Sequence, residues 1–333
     1  MGGKIFSQNK QVNDKRWRFC IAPMMKYTDR NYRFFARQIS TQARLYTEMI
    51  VAPAITKGDR DRFLAHEAIE TPVALQLGGS SPVELAEAAS IGEQYGYDEI
   101  NLNIGCPSDR VQSGEFGACL MAKPELVAEC VDAIKQRVKV PVTIKTRIGI
   151  DDHDSYEFLR NFIETLVSAN VDAVIIHARK AILSGLSPLQ NRTIPPLIYP
   201  VVYQIKQEFP KTPIIINGGI GSIDECHTHL KHCDGVMLGR AACSQPYLLA
   251  EVDAAFYNSP NCPPTRDEVL RAYLTFLRTH WDKHPSRQMM IKPLYGLFQG
   301  QPGAKQWRRT LNDILQKKLA PDIENFVPNM RST

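Results

Sequence analysis

The most regular feature of the chain is an alternation between short apolar runs and longer amphipathic stretches. RFCIAPM (18–24), RLYTEM (44–49), PVALQLGG (72–79), YDEINLNIG (97–105), PVTIKTRIG (141–149), DAVIIHAR (172–179), PIIINGGI (213–220) and GVMLGRA (235–241) read as strands. Most are β-branched and nearly continuous in hydrophobicity, the pattern of strands buried on both faces of a parallel sheet. The stretches between them have helical period. SPVELAEAASIGEQYG opens on Ser-Pro with a glutamate in its first turn, as a capped helix does, and KPELVAECVDAIKQRV spaces its apolar residues by three and four. Eight strand–helix units in ~250 residues predict an α/β fold, the (β/α)8 TIM barrel. A doubly wound sheet is the alternative, but no G-x-G-x-x-G follows the first strand.

After PNCPPT (260–265) the rhythm stops. DEVLRAYLTFLRTHWDKH, PLYGLFQG and KQWRRTLNDILQKKL are helical in period with no strand between them. The expected organisation is a flexible N-terminal tail over 1–17, a catalytic barrel over 18–258 and a C-terminal all-helical domain over 265–333. Charge sharpens this division. The chain carries 40 Lys/Arg and 35 Asp/Glu, yet residues 265–333 alone hold 12 basic and 6 acidic residues. The whole positive excess belongs to the tail, as suits a polyanionic partner such as a nucleic acid; ordinary surface lysines would give the same count.

At 44% hydrophobic and 23% charged, the composition is that of a globular protein. The apolar runs are too short to cross a membrane. MGGKIFSQNKQ lacks an apolar h-region and departs from the myristoylation pattern at Phe6, so a cytoplasmic protein is expected, as a monomer. The eight cysteines form no C-x-x-C pair and read as free thiols. CHTHLKHCD (226–234) contains metal-ligand residue types, but it falls where the barrel needs an outer helix, which would spread those side chains. No metal site is expected.

In a barrel the working groups come from the C-terminal ends of the strands. Those ends supply Pro23, Met24 and Met25; Glu48; Gln76; Asn101, Asn103 and Cys106; Lys145 and Arg147; His177, Arg179 and Lys180; Asn217, Gly218 and Gly219; and Gly239 and Arg240. A lysine inside an apolar strand is costly to bury without an anionic or electron-rich partner. Lys145 suits either a Schiff base or the electron-poor ring of a flavin. The glycine pairs after the last two strands favour the flavin, because they let backbone N–H groups approach a phosphate.

IAPMMKYTDR, ALQLGGS, EINLNIGCPSDRVQSGEFGACLM, IKTRIG, IHAR, INGGI and MLGRA resemble the motifs of the tRNA-dihydrouridine synthases, and LYGLFQGQPGAKQWRR carries the resemblance into the tail. KAILSGLSPLQNRTIPPL and GLFQGQPGA are similar to the A-type enzymes, which act on positions 20 and 20a of the tRNA D-loop. The resemblance implies reduction of the 5,6 double bond of uridine by FMN, with NADPH as reductant and neither DNA nor membrane as partner. It assigns Pro23, Met24, Met25, Gln76, Lys145, His177, Asn217, Gly218, Gly219, Gly239 and Arg240 to FMN, and Cys106 as the catalytic acid. Asn103, Arg147, Arg179, Lys180, Asn191, Arg192, Gln299 and Arg308 fall to the tRNA. Nothing beside Cys106 (Ile104, Gly105, Pro107, Ser108) offers a base to make it a nucleophile, and an ordinary thiol is protonated at neutral pH. Either Asn101 or Asn103 is placed to hold the uracil edge. Arg309, Lys317 and Lys318 add to the basic tail, where Phe298 and Trp307 serve either base stacking or core packing.

Two readings compete with this one. A small-molecule flavin oxidoreductase leaves the basic tail without a purpose, and a non-catalytic RNA binder leaves Lys145, Cys106 and the double-glycine loops without one.

Overall fold

The computed structural model describes residues 15–282 and 284–317; Lys318 lies outside them, as do 1–14 of the expected N-terminal tail. Nine parallel strands run β1 (Phe19–Ile21), β2 (Leu45–Tyr46), β3 (Ile50–Val51), β4 (Val73–Gly78), β5 (Glu99–Ile104), β6 (Val142–Arg147), β7 (Ala173–His177), β8 (Ile214–Asn217) and β9 (Gly235–Leu238). Their order is β1-β9-β8-β7-β6-β5-β4-β2, with β3 also paired to β4. The Ile21 amide donates to Arg44 O at 2.9 Å and the Arg44 amide to Phe19 O at 3.0 Å, which joins β1 to β2 and closes the barrel. The eight strand positions are those expected, except that within RLYTEM only Leu45–Tyr46 (β2) is a strand, and after a break β3 follows at Ile50–Val51. At the break Thr47 Oγ1 accepts the Gln76 N–H at 3.0 Å, a bond that a continuous ladder would give to a carbonyl.

Alternation along each strand sorts the side chains into two layers. Outward residues such as Phe19, Leu75, Ile100, Ile144 and Val174 pack under the helices. Inward residues Cys20, Tyr46, Ala74, Ala173, Ile175, Ile215 and Met237 fill the barrel, with Trp17 at its closed end. Trp17, which is buried, belongs to a short turn, Lys15–Trp17, that overlaps the expected tail. The interior at β4 to β6 is polar instead: Gln76, Glu99, Asn101 and Thr143 are at most 1% exposed.

The predicted helices appear at Pro82–Gln94 and Pro124–Lys135, the first capped by Ser81, whose side chain accepts the Glu84 N–H. In the tail a Thr265–Glu268 capping box starts the helix Arg266–His280, followed by Arg287–Ile291 and Ala304–Lys317. These helices share a core with the barrel. The Phe276 ring stacks on Phe34 of the first barrel helix at 4.1 Å, and Tyr273 meets Phe35 edge-on at 5.2 Å. Phe298 and Trp307 are buried against each other, and the Trp307 indole donates to Leu294 O at 2.7 Å, so both serve packing.

In CHTHLKHCD, Cys226 and Cys233 are buried while His229 and His232 lie against Tyr203. Among the described residues no three His, Cys, Asp or Glu side chains converge as a metal site would require. Nor is any described helix long and apolar enough to cross a membrane.

Candidate active site

A cavity of 790 Å³ opens at the C-terminal ends of the strands. Its wall gathers Pro23, Met24 and Met25 after β1, Gln76 on β4, Asn103 and Cys106 at the end of β5, and Lys145 and Arg147 on β6. His177, Asn217, Gly218 and Gly219 follow from β7 and β8, then Gly239 and Arg240 from β9, and Arg192 from the β7 loop. Lys26, Lys145, Arg147, Arg192 and Arg240 are all basic, and no Asp or Glu stands among the lining residues. A cavity walled by one sign of charge concentrates anions.

Lys145 lines this cavity and is largely buried. That poor hydration, with Arg147 beside it, pulls its pKa down to about 7. Its Nζ donates to Asn217 Oδ1 at 3.0 Å, and Asn217 is fixed in turn by its Nδ2 donating to Met237 O at 2.7 Å. His177 is held well below the usual imidazole range by burial and by the cations around it, so its ring is neutral. Its Nδ1 is buried without a protein partner.

The glycines after β8 have a steric reason. Gly218 and Gly219 adopt φ of 120° and 75°, in the region L side chains avoid. A Cβ on Gly219 would stand 2.6 Å from Leu197 Cδ1 and 2.9 Å from the Tyr199 hydroxyl. Tyr199 also donates to Gly218 O at 2.8 Å, which braces the turn from behind.

Cys106 is half-buried at the cavity wall. Its amide donates to Asn103 Oδ1 at 3.0 Å, its carbonyl accepts the Ala118 N–H at 3.0 Å, and its thiol reaches Ser108 Oγ at 3.5 Å. Gly105 allows close approach to β6, because a Cβ there would stand 3.3 Å from the Thr146 carbonyl carbon. Gly117 plays the same part behind the thiol loop, where a Cβ would come within 2.6 Å of Cys106 O.

The residues expected at the substrate divide. Asn103, Arg147 and Arg192 line the cavity. Arg147 is 5% exposed and directs its donors to Gly105 O, Lys180 O and Asn191 O, tying the loops after β5 and β7 together. Arg179 donates to Pro195 O, and Lys180 pairs with Asp154 at 2.7 Å; neither lines the cavity. Asn191, expected at the substrate, is 0% exposed and spends its amide on Ile182 and Leu186, pinning its own loop. Gln299 accepts from Arg308 at 3.0 Å and lines a second, 390 Å³ cavity between the tail and the loop after β8.

Lys26, Met49, Ser108 and Pro188 also line the main wall, and the pattern of the chain did not single them out. Ser108 had a signal in its place two residues after the cysteine. Lys26 had none, because its φ of 64° and its amide bond to Glu48 depend on distant structure.

A model of the dihydrouridine synthase family matches residues 20–330. The tRNA-dihydrouridine(20/20a) synthase of Shewanella oneidensis is 54% identical over 302 residues, covering 91% of this chain and 90% of that protein. A Synechocystis relative of the same name is 54% identical over 304 residues, 91% of each chain. The Vibrio cholerae protein, also so named, is 51% identical over 301 residues, 90% of this chain and 92% of its own.

Proposed function

Because the chain belongs to the dihydrouridine synthase family, we propose that it reduces the 5,6 double bond of uridine in the tRNA D-loop, at positions 20 and 20a, using FMN and NADPH. The observation that carries this reading is a cavity whose charged side chains are all basic, with one thiol in its wall.

The residues present fit FMN. Gly218, Gly219, Gly239 and Arg240 line the cavity together as a cradle for a phosphate, and at Gly218 and Gly219 a Cβ would collide with Leu197. Gln76, Lys145 and His177, the last with its orphaned Nδ1, face the cavity as polar partners for a flavin ring, and Pro23, Met24 and Met25 offer it an apolar wall. Bound there, FMN supplies a hydride drawn from NADPH.

Cys106 then donates its thiol proton to C5 of the uracil. The thiol stands at the cavity wall with Ser108 Oγ 3.5 Å away, and a thiol held in place can act as a general acid. Lys145 in its ammonium form stabilises negative charge arriving in the cavity, and Arg147 adds a fixed positive field. Asn103 holds the uracil edge. The base must leave its stack to reach these groups, so the surrounding phosphates need a grip. Arg179, Lys180 and Arg192 around the β7 loop and the Gln299–Arg308 pair on the tail provide it, whereas buried Asn191 shapes the loop from within.

Substituting Gly219→Ala forces an L residue to positive φ, at about 1–2 kcal/mol, and presses a methyl on Leu197. The turn is expected to shift to relieve that strain and lose the geometry that FMN needs, so FMN affinity, read from flavin fluorescence quenching, is expected to fall about tenfold.

The decisive experiment incubates unmodified tRNA transcript with the protein, FMN and NADPH, then maps nucleosides by mass spectrometry. Uridines 20 and 20a are expected to gain two hydrogens. If other uridines gain them instead, the position assignment fails; if none does, the reaction fails.

A further inference from the structure

At the closed end of the barrel, Glu99 is 0% exposed and surrounded by donors. Trp17 Nε1 donates to it at 2.7 Å, Tyr46 OH at 2.8 Å and Thr143 Oγ1 at 2.5 Å, while Arg44 pairs with it at 3.2 Å. A carboxylate can only accept. The single Thr143 proton is therefore directed at Glu99, which leaves its lone pair for Asn101 Nδ2 at 2.8 Å. With its nitrogen so engaged, Asn101 presents Oδ1 to Gln76 Nε2 at 2.7 Å. Gln76 in turn presents Oε1 to Asn103 Nδ2 at 2.9 Å. Asn103 then offers Oδ1 to the backbone N–H groups of Gly105 at 3.2 Å and Cys106 at 3.0 Å.

Every donor in this chain points toward Glu99, and its far end, two backbone N–H groups, also demands an oxygen. Both ends impose the same direction on three side-chain amides that would otherwise be free to flip. The register makes the chain continuous: Glu99, Asn101 and Asn103 alternate along β5, with Gln76 and Thr143 paired to Asn101 on the neighbouring strands.

We propose that Glu99, Thr143 and Asn101 are positioning residues: their one-way hydrogen-bond chain sets the amide orientation that Gln76 and Asn103 show the cavity and pins the backbone of Cys106. The proposal rests on Cys106 being the proton donor. Thr143 lies 0% exposed below the cavity and is absent from its wall, so it acts only through this chain.

The test is Thr143→Val against Thr143→Ser. Valine keeps the volume and leaves Glu99 with Trp17, Tyr46 and Arg44, but takes the acceptor from Asn101. Glu99→Gln is a poorer first choice because it strips buried Arg44 of its counter-charge. With folding checked by thermal melting, Thr143→Val is expected to lower kcat for dihydrouridine formation about 10–100-fold while KM for tRNA stays within about twofold. Alkylation of Cys106 by iodoacetamide, followed on its own peptide, is expected to change severalfold in the same variant. Thr143→Ser restores both. A valine variant with wild-type kcat and wild-type Cys106 reactivity overturns the proposal, as does a serine variant as impaired as the valine one. If the wild-type protein forms no dihydrouridine, the reaction is wrong, and unchanged Cys106 alkylation in Thr143→Val then overturns the positioning role by itself.

Discussion

Replacing Cys106 by alanine is expected to leave FMN bound and NADPH oxidation intact, while dihydrouridine formation falls about 10²–10⁴-fold, the usual worth of a positioned general acid. The geometry supports separating the two functions. The backbone of Cys106 is held by Asn103 and by the Ala118 amide, neither of which needs the sulfur, so the loop survives the substitution. The glycines proposed to cradle the phosphate lie elsewhere on the barrel, after β8 and β9. Stopped-flow measurement of flavin reduction by NADPH, then of reoxidation by added tRNA, tests the two halves independently. Fast reoxidation by tRNA in Cys106→Ala would remove the thiol from the reaction, and loss of flavin would make it structural.

The second large effect is expected at Lys145, where activity and stability move in opposite directions. Lys145→Met removes the ammonium from the cavity and should cost about 10²–10³-fold in turnover, as loss of a preorganised charge contact does. The same change should stabilise the ligand-free protein near neutral pH. In wild type the buried lysine has its pKa pulled down from 10.5 to about 7. Between those values the unfolded chain holds a proton that the folded chain has given up, so wild-type stability rises with pH across this window. At and below pH 7 the folded state bears the full disadvantage of a poorly hydrated ammonium. Methionine has no proton to exchange and the slope disappears. Melting temperatures of the two apoproteins from pH 7 to about pH 9.5 decide the matter, an interval inside the window that proton linkage defines. Parallel curves would mean that Lys145 stays protonated through its partners.

Much of this site was legible in the chain because barrel strands advertise themselves as apolar runs and their last residues as exceptions to those runs. Lys145, His177 and Asn217 interrupt such runs, and the structure brings all three to one cavity. Pairings between segments distant in sequence were not legible. Arg147 falls to the tRNA by resemblance, but three backbone carbonyls from the loops after β5 and β7 use its donors. Asn191 falls to the tRNA by resemblance, yet it is buried and the loop folds around it. RLYTEM read as one strand because the role of the Thr47 hydroxyl depends on Gln76 in the next unit. In each case a polar side chain replaces a backbone partner, and hydrophobic periodicity carries no trace of that exchange.

The stacking of Phe276 on Phe34 has an evolutionary consequence. Helices that complete the hydrophobic core of their host are not a detachable cassette. Cutting the chain near Pro263 would strip Phe34 and Phe35 of Tyr273 and Phe276, so a truncated protein would fail by aggregation before it failed at its substrate. A lineage that adapts the tRNA grip proposed for these helices must therefore redraw their outer charges one residue at a time, because exchanging the helices wholesale would unmake the barrel beneath them.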